Sequence, residues 1–504
     1  MPLHESLIGR EFGYDDILLV LNNLPGFERH EVGLSSNLTR KVVLDVPFVS
    51  SPMDTVTGGK MAVAMAALGG IGAIHYNYRT LEEQIEEVRS VKIWESAFIT
   101  NPVTLPPTAT IRDVYALKER YGFFTAPIVD NNGRLLGIVK KSDVLYAEDR
   151  FPEGMNTNVT HKLVWTPRER LVVAHRKDTL DKTGEDGRRN VDEGIKEANR
   201  ILRGVGTSRK PIETLPIVDD NDRLVALVTD RDLRKDKEFP YATKDGNKHL
   251  MVFAAVESRL GLARQRIREL RAADCDGIVI DAGVVFREQL EIARHCKEQT
   301  GMDVVVGSID SGRMLEQVVS EVGDFVDAFR VGVGPGMSCT TQKDLGVGRA
   351  QGSAVYDCAQ KAGELEQKYG RRIPIIADGG IRNAGDIVKA LALGADTVMM
   401  GGMLAGLEES PGQPELTDGG FLVKRFRGMG SVEAMGIRSA DRYAIDGAQI
   451  RISEGITMAV GYKGSAYAFI PTLAAAARQS MLKQGFRNIP EMQAGAEIVP
   501  RYLR

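Results

Sequence analysis

The chain has 504 residues, 43% of them hydrophobic and 26% charged, with a formal net charge of −3. That length calls for two or more domains, or one large barrel with an insertion, and the composition excludes a mostly disordered chain. No long basic run offsets the slightly acidic balance, which argues against a nucleic-acid partner. Four cysteines without paired spacing point to a reducing compartment. Met1-Pro2-Leu3-His4-Glu5 shows no charged-then-apolar leader, and the longest apolar stretch, 61–74, is broken by Gly69, Gly70 and Gly72. Arg501-Tyr502-Leu503-Arg504 carries no sorting tripeptide, so a cytoplasmic protein without membrane contact is expected.

In chain order, short runs rich in Val, Ile and Ala alternate with helix-like segments. The pattern predicts strands over 46–50, 71–75, 251–256, 277–281, 304–309, 328–333, 374–378 and 397–400. Predicted helices include 58–68, 81–91, 259–271, 286–299, 353–369 and 384–393. Near-continuous apolar strands suit a parallel sheet covered on both sides, and eight such units predict an α/β fold, a (β/α)₈ TIM barrel.

A segment over 93–236 interrupts the alternation and contains a near-repeat. Thr125-Ala126-Pro127-Ile128-Val129-Asp130 and the residues to Val139 are echoed by Thr214-Leu215-Pro216-Ile217-Val218-Asp219 and the residues to Val228. Each copy reads strand, polar turn, strand, helix start. This resembles a tandem CBS (Bateman) module, a family whose paired domains bind adenine or guanine nucleotides. The resemblance implies ribose contacts from Thr229 and Asp232 in the second copy, and from Asp143 in the first, where Lys140 replaces the threonine. The expected organisation is a first barrel part over 1–92, a regulatory insertion over 93–236, and a second barrel part with a mobile flap over 237–504.

In this fold the active site is built from loops at the carboxyl ends of the strands. After the sixth strand comes Gly332-Val333-Gly334-Pro335-Gly336-Met337-Ser338-Cys339-Thr340-Thr341. Free cysteine is usually a small buried hydrophobe, but a pliant, glycine-rich, hydroxyl-flanked loop is a poor place for one. Cys339 is therefore a candidate nucleophile, whereas Cys275, Cys296 and Cys358 lie in or beside helix-like segments. Gly379-Gly380 and Gly401-Gly402 follow the seventh and eighth strands, where this fold holds phosphate; each pair is also compatible with a plain tight turn. Asp378 could accept hydrogen bonds from a ribose diol or serve as a helix N-cap.

Ser51-Pro52-Met53-Asp54-Thr55, Gly334-Pro335-Gly336 leading to Cys339, Ala377-Asp378-Gly379-Gly380, Met400-Gly401-Gly402 and Arg427-Gly428-Met429-Gly430-Ser431 resemble the IMP dehydrogenase/GMP reductase family, on its dehydrogenase side. The resemblance implies NAD-dependent oxidation of IMP to XMP, in guanine nucleotide biosynthesis, through a covalent Cys339 adduct. It implies that Ser51, Met53, Arg330, Ser338, Asp378, Gly380, Gly401, Gly402, Met429 and Gly430 surround the nucleotide. Asp281 and Gly332 would meet the cofactor, and the carbonyls of Gly334, Gly336 and Cys339 would ligate potassium. Thr341, Glu454 and the flap pair Arg442-Tyr443 would serve hydrolysis, although an arginine with a pKa above ~12 is an unusual base. Tetramers, pairing into octamers, are the family's assembly.

Several positions depart from that pattern. Met337 removes a serine that would bond phosphate, Phe426 replaces a tyrosine, Val284 and Val285 alter the cofactor loop, and Asp310 adds a carboxylate near the site. Two rivals stay open: a GMP reductase using NADPH, and a nucleotide-sensing homologue with impaired catalysis.

Overall fold

A computed structural model describes residues 3–22, 24–94, 98–99, 102–121, 124–182, 191–229, 238–439 and 452–501. The chain divides into two compact units, one of residues 1–92, 241–245 and 250–504, the other of residues 93–240 and 246–249.

The first unit is a closed, all-parallel barrel. Its strands are β1 (Phe48–Ser50), β2 (Ile71–Ile74), β3 (Phe253–Val256), β4 (Gly277–Ile280), β5 (Asp303–Ile309), β6 (Ala328–Val331), β7 (Ile375–Asp378) and β8 (Thr397–Met400). β8 pairs with β1 through Val398–Phe48, Met399–Val49 and Met400–Ser50, which closes the ring. All eight predicted strands are present, with ends moved by a few residues at most. Every strand residue but Asp378 is buried, as a sheet covered on both faces requires. The interior is filled by Val49, Ile71, Ala73, Phe253, Val279, Val305, Ala328, Ile376 and Met399, so the barrel is a packed core and not a pore.

A short hairpin, Ser36–Asn37 with Val43–Leu44, adds Leu38, Val42 and Leu44 to that cluster. Its turn is fastened at the starts of β5 and β6, where Thr39 donates to Asp303 at 2.5 Å and Arg40 pairs with Asp327 at 2.9 Å. The amino end of the barrel is thereby plugged, leaving the carboxyl end for chemistry. The outer helices are amphipathic: Gly312–Val322, not singled out in the sequence, buries Leu315, Val318, Val319 and Val322 at helical spacing.

The second unit holds two three-stranded sheets, Ala126–Val129/Leu135–Val139/Thr166–Pro167 and Ala174–His175/Thr214–Val218/Leu224–Thr229. The sequence repeat becomes a structural one. Both hairpins shift register at the same place, after Ile128 and after Ile217. Asp130 Oδ1 accepts the N–H groups of Asn132 and Arg134, and Asp219 Oδ1 those of Asn221 and Arg223, all at 2.8–2.9 Å. The two turns also bond each other, Leu135 N–H to Asp222 O and Leu224 N–H to Gly133 O, both at 3.0 Å. Among the described residues no helix is long and apolar enough to cross a membrane.

Candidate active site

A cavity of about 880 Å³ opens at the carboxyl ends of the strands. The loops after β1, β6, β7 and β8 line it, together with the 426–430 and 454–461 segments and residues 13–16 near the amino terminus. Parallel strands bring these distant stretches together because each delivers its following loop to the same rim.

The β6 loop turns back on itself after Gly336, whose carbonyl accepts the Cys339 N–H at 3.0 Å. Gln342 closes the loop from behind, donating to the carbonyls of Val333 (2.7 Å) and Arg349 (2.9 Å). Close approach requires glycine at two points. Gly332 has φ +142° and a Cβ there would stand 2.1 Å from the Asp378 carbonyl; Gly379 has φ +88° and a Cβ would stand 2.8 Å from the Pro335 ring. The thiol loop and the β7 turn therefore touch backbone to backbone.

Cys339 is partly exposed to the cavity, while the other three cysteines are buried. Burial pushes the Cys275 thiol up to about 12 and that of Cys296 to about 11, and raises Cys358 as well, so all three are inert at neutral pH. Cys339 Sγ lies 3.2 Å from Thr341 Oγ1, which donates to Glu454 Oε2 at 2.6 Å. Thr341 has one proton, and that bond commits it to Glu454. The thiol therefore donates to Thr341 and a proton path runs from sulfur to carboxylate. Backbone bonds hold the Glu454 segment against the loop: Thr340 N–H to Glu454 O at 3.0 Å and Ile456 N–H to Ser338 O at 2.9 Å.

The structure gathers Ser51, Met53, Gly332, Gly334, Gly336, Ser338, Cys339, Thr341, Asp378, Gly380, Gly401, Gly402, Met429, Gly430 and Glu454 on the walls of this one cavity. Two expected contact residues lie beneath it instead. Arg330 and Asp281 are both 0% exposed, their side chains joined at 3.1 Å, and Arg330 also donates to Ala282 O (3.0 Å) and reaches Asp378 Oδ2 at 3.5 Å. A guanidinium pointing inward from β6 finds carboxylates only on its neighbours, so the pair ties β4 and β7 to β6 and steadies Asp378. Neither Arg330 nor Asp281 is among the residues that line the cavity. Arg442 and Tyr443, like Asp232, lie outside the described residues.

The departures also have places. Met337 is 48% exposed, and its methyl group stands 2.7 Å from where a Gly402 Cβ would be, with the buried Phe426 ring beside it at 3.4 Å. An apolar pair thus covers the β8 glycines. Asp54 anchors the adjoining strand: it accepts from Arg427 Nη2 at 2.6 Å and from Asn77 Nδ2 at 2.7 Å. Tyr14 and Gln351 in the cavity wall escaped the sequence reading, since neither belongs to a glycine or nucleophile motif.

A thiol with a proton relay, on the carboxyl rim of a closed parallel barrel, defines an enzyme of the (β/α)₈ class. Residues 11–502 match the family model described as the IMP dehydrogenase / GMP reductase domain, and the chain belongs to that family. It is 38% identical over 501 residues to the inosine-5'-monophosphate dehydrogenase of Schizosaccharomyces pombe, covering 96% of this chain and 87% of that protein. The Escherichia coli inosine-5'-monophosphate dehydrogenase is 38% identical over 492 residues, covering 96% and 92%. Among solved structures, GMP reductase from Trypanosoma brucei in complex with guanosine 5'-monophosphate superposes with a TM-score of 0.83 at 31% identity, covering 99% of this chain and 96% of that one. The same reductase in complex with guanosine 5'-triphosphate gives 0.76 at 28%.

Proposed function

We propose that this chain oxidises IMP to XMP with NAD, by way of a covalent adduct on Cys339. The observation that carries the reading is the Cys339–Thr341–Glu454 line, 3.2 and 2.6 Å, opening on one cavity with Asp378 and both glycine pairs. The thiol gives its proton towards Thr341 and Glu454, and sulfur bonds to C2 of the purine. NAD, when bound, takes the C2 hydrogen as hydride. Water then adds to C2, the carbon–sulfur bond breaks, and XMP leaves with the thiol restored. Glu454, having passed the thiol proton to solvent, takes the water proton through Thr341 and returns it to sulfur as the carbon–sulfur bond breaks, a role that the 2.6 Å contact suits. By family resemblance Arg442 and Tyr443 share that step.

Asp378, steadied by Arg330, is assigned to the ribose diol. Backbone N–H groups of Gly380, Gly401 and Gly402, with Ser51 and Ser338, are assigned to the phosphate, and Met53, Met429 and Gly430 to the base and its surroundings. Gly283 and Gly332, which line the cavity, are better placed than Asp281 to border the nicotinamide end. Carbonyl oxygens of Gly334, Gly336 and Cys339 are hard donors that suit potassium; the Gly336 oxygen keeps a second lone pair beside its bond to Cys339 N–H. Potassium held there would stiffen the loop. The insertion is assigned as a CBS pair that binds purine nucleotides through Asp143, Thr229 and Asp232, in a homotetramer able to pair into an octamer.

A second reading, reduction of GMP with NADPH, is favoured by one observation: the trypanosomal GMP reductase superposes over 99% of this chain. In that reaction the same Thr341–Glu454 pair would hand a proton to the departing amine. Purified protein in potassium buffer separates the two. Absorbance at 340 nm should rise with IMP and NAD and stay flat with GMP and NADPH. A fall in the second mixture with no rise in the first selects the reductase.

A further inference from the structure

The side chain of Gln351 joins two loops that the reaction must keep in register. It is the first residue of the helix Gln351–Tyr369, is 5% exposed, and projects into the wall between β6 and β7. Its Nε2 donates to Val331 O at 2.9 Å and to Asp378 O at 3.0 Å. Val331 is the last residue of β6 and feeds the thiol loop; Asp378 is the last residue of β7 and feeds the glycine turn. Regular parallel pairing between these strands runs from Phe329–Ile375 and ends at Val331–Ala377. Beyond that point the two ends lie in contact at Gly332 and Gly379, and one carboxamide fastens both through their carbonyls.

The same side chain also fills the space that the glycines leave open. A Cβ at Gly332 would stand 2.9 Å from Nε2, and one at Gly380 3.5 Å from Cγ of Gln351. Both donor hydrogens are committed to carbonyls on different strands. Tyr14 is the side chain that its amide meets on the remaining side. A buried carboxamide with both donors spent on backbone of two strands fixes their spacing more tightly than packing alone.

We propose that Gln351 is a positioning residue that holds the Cys339 loop and the Asp378–Gly380 turn at one fixed separation, so that a nucleotide seated on the turn presents its reacting carbon to the thiol. This rests on the thiol reaction above. Seating depends on the turn and glycines, attack on the distance to sulfur, so loosening the bridge acts on the second far more than on the first.

The test uses the full chain with Gln351→Met, which keeps length and removes both donors, and Gln351→Glu, which sets a carboxylate against the two carbonyls. For folded variants kcat should fall about a hundredfold, the size of effect an ångström of misplacement produces, while KM for the nucleotide stays within about threefold. A role in folding alone would instead lower the melting temperature and the amount of active enzyme, with the kcat of the folded fraction kept. Wild-type kcat in either folded variant overturns the inference. Amide hydrogen exchange on the unaltered protein gives a measurement free of variants: adding IMP or GMP should slow exchange at 332–339 together with 378–380. Slowing at 378–380 alone also overturns it. If the unaltered protein turns over neither nucleotide and neither slows exchange anywhere in the cavity, the substrate reading fails, and the coupling inference with it.

Discussion

The two units of this protein are specified in opposite ways. In the insertion, geometry is written twice: Asp130 and Asp219 fold the same turn with the same pair of backbone bonds, and each hairpin shifts register after the corresponding isoleucine. On the barrel rim nothing is duplicated. Cys339, Thr341 and Glu454 make one relay, Arg330 makes one buried tie, and Gln351 makes one bridge. Repetition gives a unit whose parts support one another, whereas the rim relies on single residues brought from separate strand loops, as far apart as Thr341 and Glu454. Substitutions should therefore act steeply on the rim and gently in the insertion.

The largest effect belongs to the relay. Cys339→Ala should lower turnover by more than about a thousandfold, because no second group forms the covalent bond. Nucleotide affinity, followed by calorimetry, should be kept. Retained turnover breaks both the covalent mechanism and the idea that the rim has no substitute parts. Next comes the buried tie. Arg330→Met should cost about 3–5 kcal/mol in chemical denaturation, since it leaves Asp281 in the interior without its guanidinium. A loss under about 1 kcal/mol would show that β4, β6 and β7 hold together without it.

The same contrast explains what the sequence disclosed. Barrel strands were legible because burial on both faces leaves continuous apolar runs, and the thiol loop because glycines cluster where backbones touch, as at Gly332 against the Asp378 carbonyl. The burial of Arg330 and Asp281 was not legible: residue type shows that a charge exists, not whether a neighbouring strand pairs with it below the cavity. Tyr14 and Gln351 gave no local signal at all. Gln351 acts only once β6 and β7 are side by side, and that pairing is a property of the closed ring. In the insertion the repeat disclosed nearly everything about the hairpins, because a turn aspartate acts on its own neighbours.

The barrel also contains a buried pH-sensitive element. His75, at the end of β2, is buried and stacked on Tyr78 at 3.9 Å, and burial pushes its pKa down to about 4. An unfolded chain would protonate it near pH 6.5, so between those values the unfolded state binds more protons and stability falls as pH drops. That interval corresponds to about 3 kcal/mol, fully present above pH 6.5 and lost towards pH 4. His75→Gln should flatten this part of a stability–pH curve; an unchanged slope would assign the acid sensitivity elsewhere. A smaller effect is expected over the β8 glycines. Met337→Ser restores a hydroxyl beside Gly402 and should lower KM for the nucleotide about tenfold, the value of one hydrogen bond to a charged oxygen. An unchanged KM would mean the phosphate sits away from Met337.

The gentlest change lies in the repeated turn. Asp219→Ala removes the acceptor for the Asn221 and Arg223 N–H groups but leaves the pairing of Leu215 with Val228 and the bonds from the Asp130 copy. It should lower the insertion's stability only slightly, because the freed N–H groups can turn to water. Asp130→Ala should cost the same, and because the two turns bond each other, the double substitution should exceed the sum of the singles. Proteolysis within 93–240, measured beside turnover, reads the difference: faster cleavage with kcat unchanged is the expected result. A parallel fall in kcat would mean that the insertion's turns bear on the rim, and the division between a self-supporting repeat and a rim of single residues would have to be abandoned.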